Sequence, residues 1–387
     1  MATDNNNKVL NVPNLRFPEF SGEWKLHATT DYFEFKNGLN PEAKRFGLGT
    51  KFISVMDILN NRYITYDKVI ASVLPKDDDL KEFGVNYGDI LFQRSSETLE
   101  DVGRANVYLD DKTALFGGFV IRGKKIGNYN PLFFRYLLSS PNARKSIIVK
   151  GAGAQHFNIS QDGLSKVLLN VPSIQEQEKI SQFINYIDER IDTQSKIIEK
   201  LESLIKGLYE RLFSIESEKY LLLSNVVKIQ KGQQVNGEEL AEYGSYYVMN
   251  GGIAPSGYLG NYNTPAGTIS ISEGGNSCGY VQYNSSPFWS GGHCYTLIES
   301  KDIINYKFLY HYLKHKEQSI MAMRIGSGLP NIQKKDLERF PILNICREKQ
   351  NKMVHMLDDL STKISTERKI LENYKEQKKY LLSNLFI

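Results

Sequence analysis

Residues 150–158 (KGAGAQHFN) and 324–331 (RIGSGLPN) are two glycine-rich stretches, each led by a cation and closed by an asparagine. Glycine lets a backbone approach a phosphate closely. Arg, Lys, Gln and Asn carry the donors and acceptors that read base edges. The same residue types recur early in each half of the chain, in Lys36-Asn37-Gly38 and Lys231-Gly232-Gln233-Gln234. Gln93-Arg94-Ser95-Ser96 follows a strand-like run, and Ser272-Glu273-Gly274-Gly275-Asn276 stands as its counterpart. The candidate nucleic-acid contacts are Lys36, Arg94, Ser95, Arg104, Lys150, Gln155 and Asn158 in the first half. In the second they are Lys231, Gln233, Gln234, Asn250, Asn276, Arg324, Ser327 and Asn331. Any one of them also reads as a wet residue in a strand-connecting loop. Their occurrence twice, in corresponding places, favours binding.

Catalytic patterns are absent. No GxGxxG opens a helix, and there is no P-loop or Asn-Pro-Pro-aromatic motif of an amino-methyltransferase. His311 and His315 have a metal-compatible spacing but lack a glutamate after the first histidine and an obvious third ligand. Glu376 and Lys378 form an ExK on a helical face, and His293-Cys294 lacks a third partner. The expectation is a binding protein with no catalytic residue, no metal site and no cofactor of its own.

The elements that must position these loops emerge from an internal repeat. Shifted by 173 residues, Gly153 falls on Gly326, Asn158 on Asn331, Leu164 on Leu337 and Gln177 on Gln350. The register then runs without a gap, carrying Leu208, Leu212 and Phe213 onto Leu381, Leu385 and Phe386. Upstream, PLFFRYLL at Pro131 matches YKFLYHYL at Tyr306 with a shift different by two, and the Gly pair at 117–118 matches that at 291–292.

From Gln175 to Phe213 there is no proline. Apolar residues recur at strict 4-3 spacing through Ile184, Ile187, Ile191, Ile198, Leu201, Ile205 and Leu208, with Gln194 as the one polar step. That is a coiled-coil seam. Leu357, Leu360, Ile364, Leu371 and Leu381 continue the pattern in the second copy. A helix of this length is roughly 58 Å long at about 1.5 Å per residue. The two helices either pack on each other or form an intermolecular coil, and their matched length and register favour the first.

Short alternating runs (KFISVM, DILFQR and ANVYLD; GTISIS, GYVQYN and HCYTLIE) predict strands before each helix, and PLFFRYLLSS predicts a short helix opened by Pro131. The fold class is therefore mixed α/β, with two repeated domains joined and followed by two long helices that pack as an antiparallel coiled coil with pseudo-two-fold symmetry. The predicted boundaries are 1–173 and 216–346 for the domains, and 174–215 and 347–387 for the helices.

Composition sets outer limits. The 387 residues allow two or three domains, and 41% hydrophobic with 24% charged residues is ordinary globular usage. Three cysteines without a CxxC pair argue against a disulfide framework. The N-terminus lacks a signal-like apolar core and no apolar run approaches membrane-helix length, so a cytoplasmic protein is expected. A net charge of +4 argues only weakly for nucleic acid.

A domain that ends in LLNVPSIQEQEKI and leads into a long helix, followed by a diverged second copy and helix, resembles the specificity subunit of type I restriction–modification enzymes. The resemblance covers essentially the whole chain and centres on Pro172-Ser173-Ile174-Gln175-Glu176-Gln177. The second copy departs from it, with Ile345 in place of the proline and Lys349-Gln350 in place of Glu-Gln.

The resemblance implies two target recognition domains, each reading half of a bipartite site in double-stranded DNA. The helices are implied to set the gap and to dock two adenine-methyltransferase subunits. S-adenosylmethionine, ATP and magnesium would then belong to those subunits and to motor-nuclease subunits, leaving this chain non-catalytic and acting in defence against foreign DNA. The alternatives are a stand-alone coiled-coil DNA-binding protein and a scaffold that binds protein or glycan. Steep loss of affinity with added salt distinguishes DNA binding from the scaffold.

Overall fold

The computed structural model describes residues 10–153, 155–214, 219–326, 328 and 330–387. Two compact units emerge, Met1–Gln194 with Ile370–Ile387, and Ser195–Lys369. The division falls inside two long helices, Ile174–Phe213 and Arg347–Asn384.

In the first unit a four-stranded antiparallel sheet has the order Phe33–Asn37, Val120–Lys125, Ile90–Gln93, Ala105–Val107. The strand Ile90–Gln93 is buried throughout, which suits its central place. Phe46–Ile53 lies in a second sheet, antiparallel to Ser72–Val73 and parallel to Leu115–Phe116. The expected strand KFISVM ends at Ile53. Ser54 and Asp57 then form a capping box that starts the helix Val55–Asn60, so the apolar Val55 and Met56 belong to a helix. The helix Pro131–Ser139 begins where Asn130 accepts from the Phe133 amide and proline occupies the first turn.

The second unit follows the same plan. Its four-stranded sheet has the order Lys228–Lys231, Cys294–Ile298, Thr268–Ser272, Val281–Asn284. Tyr246–Met249 is antiparallel to Tyr258–Leu259 and parallel to Trp289–Ser290, as Phe46–Ile53 is to its neighbours. Asn305 caps the helix Tyr306–His315.

Two glutamines tie this shared plan together. Gln177 accepts from the Asn130 amide at 3.0 Å and donates to the Pro172 carbonyl at 3.0 Å. Gln350 accepts from the Asn305 amide at 2.6 Å and donates to the Ile345 carbonyl at 2.8 Å. Each glutamine thus joins the start of a long helix to the cap of the short one.

Within each unit the long-helix segments run antiparallel. In the first, Arg190 meets the Tyr374 hydroxyl at 3.3 Å and Asp188 meets Lys378 at 2.6 Å. In the second, Glu202 pairs with Arg368 at 2.5 Å, and His311 bridges Tyr209 to Asp358 with 2.8 Å on each side. Of the predicted seam, Ile184, Ile187, Ile198, Leu357, Ile364 and Leu381 are buried, and Ile191, Leu201, Ile205, Leu208, Leu360 and Leu371 are half-buried.

The helix ends complete the cores. Leu381, Leu385 and Phe386 pack into the first-unit core with Trp24, Phe133 and Ile180. Phe213 packs into the second with Phe308, Tyr312 and Leu357, flanked by Leu208 and Leu212. No helix among the described residues is long and apolar enough to cross a membrane.

Candidate nucleic-acid interface

Each unit carries a cleft at the end of its four-stranded sheet, built on equivalent backbone. In the first, Arg94 follows the strand Ile90–Gln93. Its amide donates to the Phe119 carbonyl at 2.9 Å and its carbonyl accepts from the Ile159 amide at 3.0 Å. In the second, Glu273 follows Thr268–Ser272. Its amide donates to the His293 carbonyl at 2.9 Å and its carbonyl accepts from the Ile332 amide at 2.9 Å. The hydrogen bonds thus superpose Arg94 on Glu273 and Phe119 on His293. Beyond them, Ser95–Ser96 pairs with Phe157–Asn158, and Gly274 bridges to Asn331.

The glycine-rich stretches close the clefts. Ala152 and Asn158 exchange two backbone hydrogen bonds, at 2.9 and 2.8 Å, and Ile325 and Asn331 exchange two at 2.8 and 3.0 Å. Two glycine crossings set the opposite wall. A Cβ on Gly38 would collide with the Gly117 carbonyl, and one on Gly232 with the Gly291 carbonyl. Only glycine lets these backbones meet.

The shared crossing aligns Gly38 with Gly232 and so makes Asn37, not Lys36, the counterpart of Lys231. Lys36 instead pairs with Glu82 at 3.0 Å and lies over the Phe83 ring.

The first cleft, of about 460 Å³, is lined by Asn37, Arg94, Lys150, Asn158 and Gln161 among others. Ser95 hydrogen-bonds Asn158 at its edge. Arg94 donates weakly to the Gly118 carbonyl at 3.3 Å and has no carboxylate within ion-pair distance among the described residues. The second cleft, of about 640 Å³, is lined by Lys231, Asn250, Glu273, Asn276, His293 and Asn331 with four glycines, Gly251, Gly252, Gly274 and Gly275, among its walls. Lys231 pairs with Glu273 at 2.7 Å, and the Tyr295 hydroxyl donates to the same carboxylate at 3.1 Å. Burial, reinforced by Glu273, pushes the Tyr295 hydroxyl far up, so it stays a proton donor to that carboxylate.

Three of the first-half candidates (Arg94, Lys150, Asn158) therefore line one cleft with Ser95 beside them, and four of the second (Lys231, Asn250, Asn276, Asn331) line the other. Gln155 and Arg324 are exposed, on or beside the closing stretches. The Gln233 carbonyl accepts from the Trp289 indole at 3.1 Å, and Gln234 sits against Gly292. Arg104 stands apart, paired with Asp101 at 2.6 Å in a different depression. Ser327 lies outside the described residues, as do positions 215–218, where the second domain was expected to begin.

Asn37, Gln161, Glu273 and His293 were missed. Glu273 was legible as the residue two after Ile271, just as Arg94 is two after Phe92. Its acidity argued against a role in a reading that looked for cations. Among the described residues no group of acidic, histidine and cysteine side chains could hold a metal ion.

Comparison with known proteins agrees with this architecture. A type I specificity subunit of Mycoplasma pneumoniae is 34% identical over 161 residues, 39% of this chain and 43% of that protein. One from Mycoplasma genitalium is 27% identical over 39% of this chain and 42% of that one, so the chain spans under half the length of these two relatives. A protein of Methanocaldococcus jannaschii named for the specificity subunit of the type I restriction enzyme MjaX is 22% identical over 98% of this chain and 96% of its own. The crystal structure of the type I restriction–modification S subunit from M. genitalium shares the fold, with a TM-score of 0.67 at 20% identity over 97% of this chain and 99% of that one. The model of the type I restriction modification DNA specificity domain matches residues 21–203 and again 219–375. With both matches together spanning most of its length, this chain belongs to the type I restriction modification DNA specificity family and carries that domain twice.

Proposed function

We propose that the chain supplies the sequence reading of a type I restriction–modification complex, each domain reading one half of a bipartite DNA site. The observation that carries this is the pair of clefts: one backbone frame, held by equivalent hydrogen bonds and glycine crossings, lined by different side chains. A common frame supports similar docking on DNA, and different linings suit two different half-sites. In this reading Lys150 and the exposed Arg324 supply phosphate contacts that position each domain, while the other side chains of the clefts meet base edges.

The chain is non-catalytic in this reading. Its long helices keep exposed apolar residues, among them Tyr186, Leu204, Met356 and Tyr380. Such residues fit the docking of two methyltransferase subunits, which would hold S-adenosylmethionine and methylate adenine. Motor-nuclease subunits would add the ATP- and magnesium-dependent restriction step, and the whole would act in the cytoplasm.

The test is the adenine methylome of cells with and without this chain, with the methyltransferase subunit present in both. A gapped bipartite motif that disappears with the chain is expected. An unchanged methylome, together with binding to DNA that is insensitive to salt, would refute the proposal.

A further inference from the structure

The superposition of Arg94 on Glu273 places opposite charges at one position of a repeated reading frame. Glu273 spends Oε1 on Lys231 and the Tyr295 hydroxyl. Its Oε2 is buried and has no hydrogen bond. A buried acceptor left without a donor is costly, and a ligand that brings an N–H recovers that cost. His293 Nδ1 stands 3.7 Å from Oε2, and this side chain is 61% exposed, so turning it aside costs little packing and opens the oxygen to the cleft. Lys231 is neutralised by the same carboxylate, and the cleft therefore presents an acceptor where the first domain presents a guanidinium without a carboxylate partner.

Base chemistry sorts these two environments. A guanidinium fits the O6 and N7 acceptors of guanine, and a carboxylate accepts from the N4 amino group of cytosine. The converse pairings fail, because guanine would set two acceptors against the carboxylate and cytosine would set its amino group against the guanidinium. Resting on the assignment of these clefts to DNA reading, we propose that Arg94 and Glu273 are equivalent specificity determinants that read opposite bases: a guanine in the half-site of the first domain, and a cytosine at the matching position in the half-site of the second. The neighbouring difference follows the same division. Phe119, 70% exposed, offers apolar contact beside Arg94, whereas His293 offers a polar ring beside Glu273.

The experiment uses the complex with its methyltransferase subunits. Once the wild-type methylome has supplied the motif, binding is competed with duplexes that carry each of the four bases at every half-site position. Glu273→Gln keeps the shape and one acceptor but removes the charge. It is expected to reduce the preference for cytosine over guanine about tenfold or more at one position of one half-site, within the range of a good base contact. Arg94→Gln is expected to move one position of the other half-site from guanine towards adenine.

The inference is overturned if the affected positions are not cytosine and guanine in the wild-type motif. It is equally overturned if the loss spreads evenly over a half-site, or if Glu273→Gln prevents assembly and so marks the residue as packing. Absence of any bipartite motif in the wild type would instead remove the underlying DNA-reading assignment, a separate failure.

Discussion

Gln177 and Gln350 offer the sharpest test of how the repeat is held together. Both are buried, and each joins the first turn of a long helix to the backbone ahead of a capped short helix. Gln177→Ala leaves the Asn130 amide and the Pro172 carbonyl without their partner. An orphaned buried group costs about 1–3 kcal/mol. Two such groups with some relaxation give roughly 2–4 kcal/mol. Gln350→Ala also releases the Ile303 carbonyl, bonded at 3.2 Å, and should cost at least as much.

The assay is amide hydrogen exchange on the intact chain, comparing each variant with the exposed control Gln175→Ala. At about 1.4 kcal/mol per factor of ten, exchange at the Asn130 amide and through Pro131–Ser139 should accelerate by about 30-fold or more in Gln177→Ala. In Gln350→Ala the same should happen at Asn305 and through Tyr306–His315. Acceleration below about threefold, or equal to that of Gln175→Ala, would show that the shared glutamine bridges do not hold the helices in place.

Asp188 accepts from Lys378 at 2.6 Å and from the Tyr136 hydroxyl at 2.8 Å, with Arg62 and Arg135 within 4 Å; Asp188→Ala leaves Lys378 and Arg135 without a carboxylate, whereas Arg62 keeps Asp192 at 3.0 Å, and should cost about 3–5 kcal/mol. A change under about 1 kcal/mol in chemical denaturation would count against that network. Burial lowers the pKa of His311 while its bond to Asp358 opposes the shift. The unfolded chain therefore binds this proton more readily, and stability of the second unit should fall as pH drops below about 6.5. His311→Gln should flatten that slope relative to wild type in exchange measured between pH 7 and 5, and an unchanged slope would contradict the assignment. Inserting a heptad within residues 180–210 adds about 10.5 Å of helix, or about three base pairs at roughly 3.4 Å each. The methylated motif should then gain about three unspecified positions and keep both half-sites, and a constant gap would mean that helix length does not set the spacing.

Much of the fold was readable because its signals are local. The strict 4-3 spacing around Ile184, Ile191 and Ile198 needs only a helix with one buried stripe, and Pro131 after Asn130 needs only a capped first turn. The clefts were readable in part, since Lys150, Asn158 and Asn331 are marked by glycine neighbours. Arg104 and Lys36 had the same chemistry but different neighbours, Asp101 and Glu82, that no local pattern reveals. The Glu-Gln pair behaves likewise. Gln177 and Gln350 keep one role in both copies, whereas Glu176 is buried against Arg16 and Trp24 and its counterpart Lys349 is exposed.

By itself, the sequence determined that the chain is a tandem repeat with two long amphipathic helices, because periodicity and self-similarity survive without knowledge of partners. Tertiary structure alone decided what each buried face meets. The ends Leu212-Phe213 and Leu385-Phe386 match residue for residue, yet the first pair completes the core that follows it and the second returns to complete the core at the start of the chain. It also decided what meets the position that Arg94 and Glu273 share: the Gly118 carbonyl for Arg94, and Lys231 with the Tyr295 hydroxyl for Glu273. Hydrophobic burial is non-directional, so an apolar stripe specifies that a surface must be covered without specifying by what. Long-range backbone hydrogen bonds and close glycine crossings make that choice, and they place the residues that line the clefts.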